Sequence, residues 1–207
     1  MIDAHLLPIQ RALLRPFAEA LVRAGVRADS ISLAGFGLGL AAVAAIAAGY
    51  TLMGLGLILL NRLFDGLDGA VARIAGPTDR GAFLDVALDF VFYALVPLGF
   101  ALADPVANGL PAATLIAAFV GTGSSFLAFA VIAAKQGRSA ADYPDKGIHY
   151  LGGLTEGFET IAVFALMCIF PKAFPVLAYG FAAACAVTTV LRWHRGWTAF
   201  KETPAGR

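Results

Sequence analysis

Apolar positions along this chain fall into long blocks, and six of them stand out: about Ile31 to Tyr50, Leu52 to Ala72, Ala82 to Ala103, Ala112 to Ala134, Phe158 to Phe170 and Ala173 to Trp193. Most have roughly the 20 residues that a bilayer-spanning helix needs, and the fifth reaches that length only if its helix starts before Glu156. The short connections predict an all-α fold, a polytopic bundle of six transmembrane helices with antiparallel neighbours. Ahead of the first block, Leu6, Leu7, Ile9, Leu13, Leu14, Phe17, Leu21 and Val22 recur at three- and four-residue steps among Arg11, Arg15, Glu19 and Arg23. That spacing predicts an amphipathic helix lying on the membrane surface, with packing on other protein as the alternative. The chain divides into a juxtamembrane helix over residues 1–28, a six-helix domain over 29–195 and a cytoplasmic tail over 196–207.

Composition agrees with lipid as the main solvent. Apolar residues make up 59% of the chain and charged residues 14%, against about 25% charged in an average soluble domain. A net charge of +1 gives no electrostatic case for a nucleic-acid partner. Cys168 and Cys185 lie inside apolar runs, as buried packing thiols do. The first residues are interrupted by Asp3, Arg11, Arg15, Glu19 and Arg23, so no cleaved signal peptide is expected. Basic residues collect at the N-terminus (Arg11, Arg15, Arg23, Arg27), at the second and fourth connections (Arg73 and Arg80; Lys135, Arg138 and Lys146) and at the C-terminus. The odd connections contribute only Lys172, so both termini, and any site at the even connections, should face the cytoplasm.

Four carboxylates break into this apolar pattern. The second block ends Asp65-Gly-Leu-Asp68-Gly69-Ala-Val-Ala72-Arg73, and the third opens Gly81-Ala-Phe-Leu-Asp85-Val-Ala-Leu-Asp89. On helices Asp65 and Asp68 are i, i+3 neighbours and Asp85 and Asp89 are i, i+4 neighbours, so each pair shares a face. At 1.5 Å per residue, all four lie roughly 6 to 12 Å inside the helix ends. Clustered carboxylates in hydrocarbon repel one another unless cations hold them. Hard oxygen ligands with no Cys or His nearby suit two divalent cations, Mg²⁺ or Mn²⁺, with diphosphate oxygens completing the coordination. Gly69 would let a bound group approach the backbone, and Arg73 could neutralise a phosphate by a forked contact. Asn61 and Arg62 sit one turn deeper, in a supporting place. Gly35, Gly37 and Gly39 read as sites of close helix packing.

These residues resemble the signature of the CDP-alcohol phosphotransferase (CDP-alcohol phosphatidyltransferase) family, D-x-x-D-G-x-x-A-R followed by G-x-x-x-D-x-x-x-D. Every fixed position matches, and the connection before Gly81 is one residue shorter than the commonest form. Tyr150-Leu-Gly-Gly-Leu-Thr-Glu-Gly-Phe-Glu159 resembles a bacterial subgroup whose acceptor is undefined. The resemblance implies that Asp65, Asp68 and Asp85 bind two divalent ions, and that Asp89 is the general base and also touches a metal. It places Gly69, Ala72 and Arg73 in the nucleotide pocket together with Gly81. Where members often carry Pro-Asn-x-Ile-Thr, this chain has Ala28-Asp29-Ser30-Ile31-Ser32, so Ser32 is the candidate for the hydroxyl contact to the nucleotide. It further implies a homodimer, and a transfer from CDP-diacylglycerol to a small alcohol with release of CMP.

The acceptor is the least defined part. Lys135, Arg138 and Lys146 could bind a phosphorylated alcohol such as glycerol phosphate or inositol phosphate, or be ordinary positive-inside charges. Glu156 and Glu159, after His149 and Tyr150, could receive a neutral or amino alcohol, or cap the fifth membrane helix. Two other function classes carry acidic membrane helices: a cation transporter, and a different diphosphate enzyme such as an aspartate-rich prenyltransferase. The first needs polar groups continuing across the bilayer, and the second places its acidic motifs far apart.

Overall fold

A computed structural model describes residues 2–136 and 154–200, and among these the chain is helical with no strand. The helices are α1 (Ile2–Arg23), α2 (Ala28–Ala47), α3 (Thr51–Ala75), α4 (Asp79–Ala103), α5 (Pro105–Lys135), α6 (Gly157–Ile169) and α7 (Phe174–Ala199), with a 3₁₀ turn at Pro171–Ala173 before α7. Local chemistry sets their ends. Gly76, at φ 101°, stops α3 in a conformation that a side chain would strain. Thr78 then starts α4 by accepting the Gly81 N–H at 3.0 Å, and Asp104 starts α5 by accepting that of Ala107 at 3.0 Å.

Four helices are long and apolar enough to cross a membrane: α2, α4, α5 and the segment Pro171–Ala199. The other two expected spans differ for physical reasons. α3 has the length, at 25 residues, but carries Arg62, Asp65, Asp68 and Arg73. α6 has 13 residues, about 20 Å of helix, because the Glu156 N–H donates to Glu159 Oε2 at 3.2 Å and the helix begins after Glu156. Along α1, Leu14 and Ala18 are buried with Ile31, Ala70 and Val71, while Leu13 and Phe17 are exposed.

The short connection predicted α3 and α4 as direct neighbours, but α2 packs along both of them while their own backbones scarcely approach. Two glycines on α2 explain how. A methyl group at Gly35 would lie 2.9 Å from Phe64 Cβ of α3, and one at Gly39 would lie 2.8 Å from the Phe92 ring of α4 and 3.3 Å from the Asn61 amide nitrogen. The Asn61 side chain donates to the Gly35 carbonyl at 2.8 Å, fixing α3 on α2. A methyl group at Gly37 would meet nothing within 4 Å, so the close packing read from the sequence belongs to Gly35 and Gly39. Gly39→Val should displace Phe92 and lower stability by roughly 1–3 kcal/mol, visible as a lower unfolding temperature in detergent.

Farther along the bundle, Phe92, Val96 and Phe100 of α4 join Leu115 of α5, Phe164 and Met167 of α6 and Phe174 and Phe181 of α7 in one buried cluster. Cys168 and Cys185 are buried, unbridged members of it.

Candidate metal and nucleotide site

Facing turns of α3 and α4 bring the aspartates together across the gap that α2 holds open. One carboxylate oxygen from each of Asp65, Asp68 and Asp85 lies within 4.8 Å of the others, with Asp68 buried and Asp85 exposed. Such an all-oxygen donor set fits a divalent cation of the Mg²⁺ or Mn²⁺ kind. Asp89 lines the same small cavity but is held differently. Its Oδ1 accepts from Arg62 Nη2 at 2.7 Å and its Oδ2 from Arg62 Nη1 at 3.3 Å.

Arg62 is the site residue whose importance the sequence understates. Its Nε donates to Asn61 Oδ1 at 2.8 Å and its Nη1 also reaches the Tyr93 hydroxyl at 3.3 Å. Asp65 Oδ2 lies 3.6 Å from that same Nη1. The guanidinium carbon sits 4.9 Å from the Phe92 ring centroid and 5.5 Å from that of Tyr93, so aromatic faces cover what the hydrogen bonds leave. The site thus holds a fixed cation of its own, wedged against the fourth aspartate. An arginine three residues before Asp65 inside an apolar run was a visible signal, but its partner on α4 was not.

Of the residues assigned to the nucleotide, Ser32 reaches the cluster: its hydroxyl donates to Asp68 Oδ2. Gly69 is half-buried with the exposed Arg73 side chain folded beside it, 3.3 Å from where a Gly69 methyl would stand. Ala72 is half-buried on the same turns of α3. Gly81 sits in the first turn of α4 beside Asp29, which forms an ion pair with Arg80 and ties the start of α2 to that of α4. None of Gly69, Ala72, Arg73 and Gly81 lines the cavity around the carboxylates. The acceptor candidates scatter. Lys135 is exposed at the end of α5, Glu159 is engaged by the Glu156 N–H, and Glu156 lines a second cavity. Arg138 and Lys146, with His149 and Tyr150, lie outside the described residues.

Three carboxylates gathered beside four helices long and apolar enough to cross a membrane are what a transferase of substituted phosphate groups working on a lipid would need. The family profile of CDP-alcohol phosphatidyltransferases matches residues 26–193, and the chain belongs to that family. It is 49% identical over 202 residues, 98% of each chain, to the inner membrane protein YnjF of Escherichia coli (strain K12). With the phosphatidylinositol phosphate synthase of Mycobacteroides abscessus it shares 32% identity over 196 residues, 86% of this chain and 81% of that one. The phosphatidylinositol phosphate synthase PgsA1 of Mycobacterium tuberculosis, solved with CDP-DAG bound, superposes with a TM-score of 0.68 at 27% identity, covering 95% of this chain and 98% of that one. The same synthase solved with manganese and citrate gives 0.68 at 26% identity, over 94% and 92%. Membership of this family decides against the transporter and prenyltransferase readings.

Proposed function

We propose that this protein moves a phosphatidyl group from CDP-diacylglycerol to a hydroxyl of a small alcohol and releases CMP. The observation that carries this is the three-carboxylate cluster, Asp65, Asp68 and Asp85, with Asp89 held beside it by Arg62. Asp65, Asp68 and Asp85 would hold two divalent cations, Mg²⁺ or Mn²⁺, with Asp89 both the base and a further metal contact. When bound, the cations neutralise the diphosphate and stabilise the departing CMP. Arg73, Gly69, Ala72, Gly81 and Ser32 receive the nucleotide. Arg62 occupies one side of the Asp89 carboxylate and leaves the remaining lone pairs for the acceptor's proton. In the transfer, the acceptor oxygen bonds to the phosphorus that carries diacylglycerol and the P–O bond to CMP breaks. The hydroxyl proton passes to Asp89, and the electron pair leaves with CMP.

In this reading α3 and α6 complete six spans, α3 because its charged face lines the site and not lipid. The site opens to the cytoplasm, both termini lie on that side, and the protein works as a homodimer with α1 on the membrane surface. Chelation is the direct test. With CDP-diacylglycerol and an alcohol panel, EDTA should reduce CMP release to background, and excess Mn²⁺ or Mg²⁺ should restore it; chelator-insensitive release would end the proposal.

A further inference from the structure

One stripe of α1 runs along the seam with α3. Leu14 and Ala18 are buried there, with Leu21 and Val22 partly buried behind them. Arg11 stands three residues ahead of Leu14, so the same stripe continues into a guanidinium one turn nearer the start of the helix. Its neighbour Gln10 fixes where that turn lies. A methyl group at Gly66 of α3 would run into the Gln10 amide and lie 3.0 Å from Leu14 Cδ1. This end of α1 therefore rests on the turn of α3 that carries Asp65 and Asp68.

A second arginine reaches the same place from α3. Arg73 is exposed and folds back over Gly69, its Nη1 3.3 Å from where a methyl group there would stand. The charges of Arg11 and Arg73 act on each other, and that of Asp68 acts on Arg73. Neither arginine makes an ion pair among the described residues, although both are exposed. The next two arginines of α1 differ, since Arg15 pairs with Glu19 at 2.8 Å and Arg23 donates to the Glu19 carbonyl at 3.2 Å. Two like charges brought together in this way repel, and an anion bound between them removes that cost. Guanidinium forks suit the oxygens of a phosphate above all. The pair flanks the turn of Asp65 and Asp68, where the proposed transfer puts a diphosphate.

We infer that Arg11 binds the diphosphate of the CDP-linked donor together with Arg73, so that α1 is part of the nucleotide site and not only a helix on the membrane surface. The inference rests on the proposed transfer. To test it, the full chain in a neutral detergent without lipid, where headgroup charge plays no part, is titrated with CDP in the presence of Mn²⁺, and its thermal unfolding is followed without ligand. Arg11→Gln should weaken CDP binding about five- to tenfold, and Arg11→Lys should recover most of that loss. Without ligand, Arg11→Gln should unfold at a temperature no lower than the parent's, because it relieves a repulsion and removes no partner. Arg15→Gln, the same charge change one turn on, should bind CDP like the parent. Undiminished CDP binding by Arg11→Gln would overturn the inference and leave the transfer standing. So would an equal weakening in Arg15→Gln, which would mark a general effect of charge on α1. Weaker binding accompanied by a lower unfolding temperature would also overturn it, with Arg11 then serving only to hold α1 on α3. Failure of the parent itself to bind CDP with Mn²⁺ would remove the transfer reading, and this one with it.

Discussion

Asp89→Asn is expected to lose essentially all turnover, a fall of roughly 10²–10⁴-fold, while binding of CMP stays close to that of the unaltered protein. The amide has nearly the shape of the carboxylate, and its oxygen can still accept from Arg62, whose Nη2 lies 2.7 Å from Asp89 Oδ1. It cannot take a proton from an attacking hydroxyl. The cluster of Asp65, Asp68 and Asp85 is unaltered, so CMP should still raise the unfolding temperature in the presence of Mn²⁺. CMP release at an undiminished rate would show that another group is the base.

Arg62→Met should produce two effects of opposite direction. The arginine and Asp89 side chains are 17% and 30% exposed, so removing the cation leaves a half-buried carboxylate without its main partner, at a cost of about 2 kcal/mol after allowance for solvent. Asp89 also loses the fork that orients it, and misplacing a base by about 1 Å can cost about 10²-fold in kcat. Removing a positive charge from among four carboxylates strengthens their attraction for divalent ions. The variant should therefore be slower and less stable without metal, yet gain more from added Mn²⁺ than the parent in thermal unfolding. An equal or smaller gain would mean that Arg62 does not compete with metal for Asp89. Arg62→Lys, which keeps the charge but not the fork, should restore the metal response better than the rate.

What the sequence displayed well were relations inside single helices. The i, i+3 step from Asp65 to Asp68 and the i, i+4 step from Asp85 to Asp89 follow from helix geometry, whereas the gathering of Asp65, Asp68 and Asp85, with Asp89 held by Arg62, is a relation between helices. Relations between helices were less legible. That α2 lies between α3 and α4 depends on two glycines fitting against Phe64 and Phe92, and nothing in a linear pattern pairs them. Arg62 looked peripheral because its partner lies on another helix, 27 residues on. Arg192 is set against the Thr122 carbonyl at 3.0 Å, 70 residues away in the chain, a pairing that no linear pattern displays. The fifth membrane helix fell short for a local reason, since Glu156 and Glu159 terminate it at its start.

The interposed α2 also bears on how this enzyme can change over evolutionary time. It supplies no carboxylate to the cluster, yet the thickness of its backbone at Gly35 and Gly39 gauges the spacing between the two acidic edges. Larger residues there would press on Phe64 and Phe92 and so widen the jaws without replacing any carboxylate. Drift on the outward sides of α3 and α4 leaves that calibration alone. Selection should consequently act on two side-chain-free positions of α2 nearly as strictly as on the aspartates, whose cavity Gly35 itself helps to line.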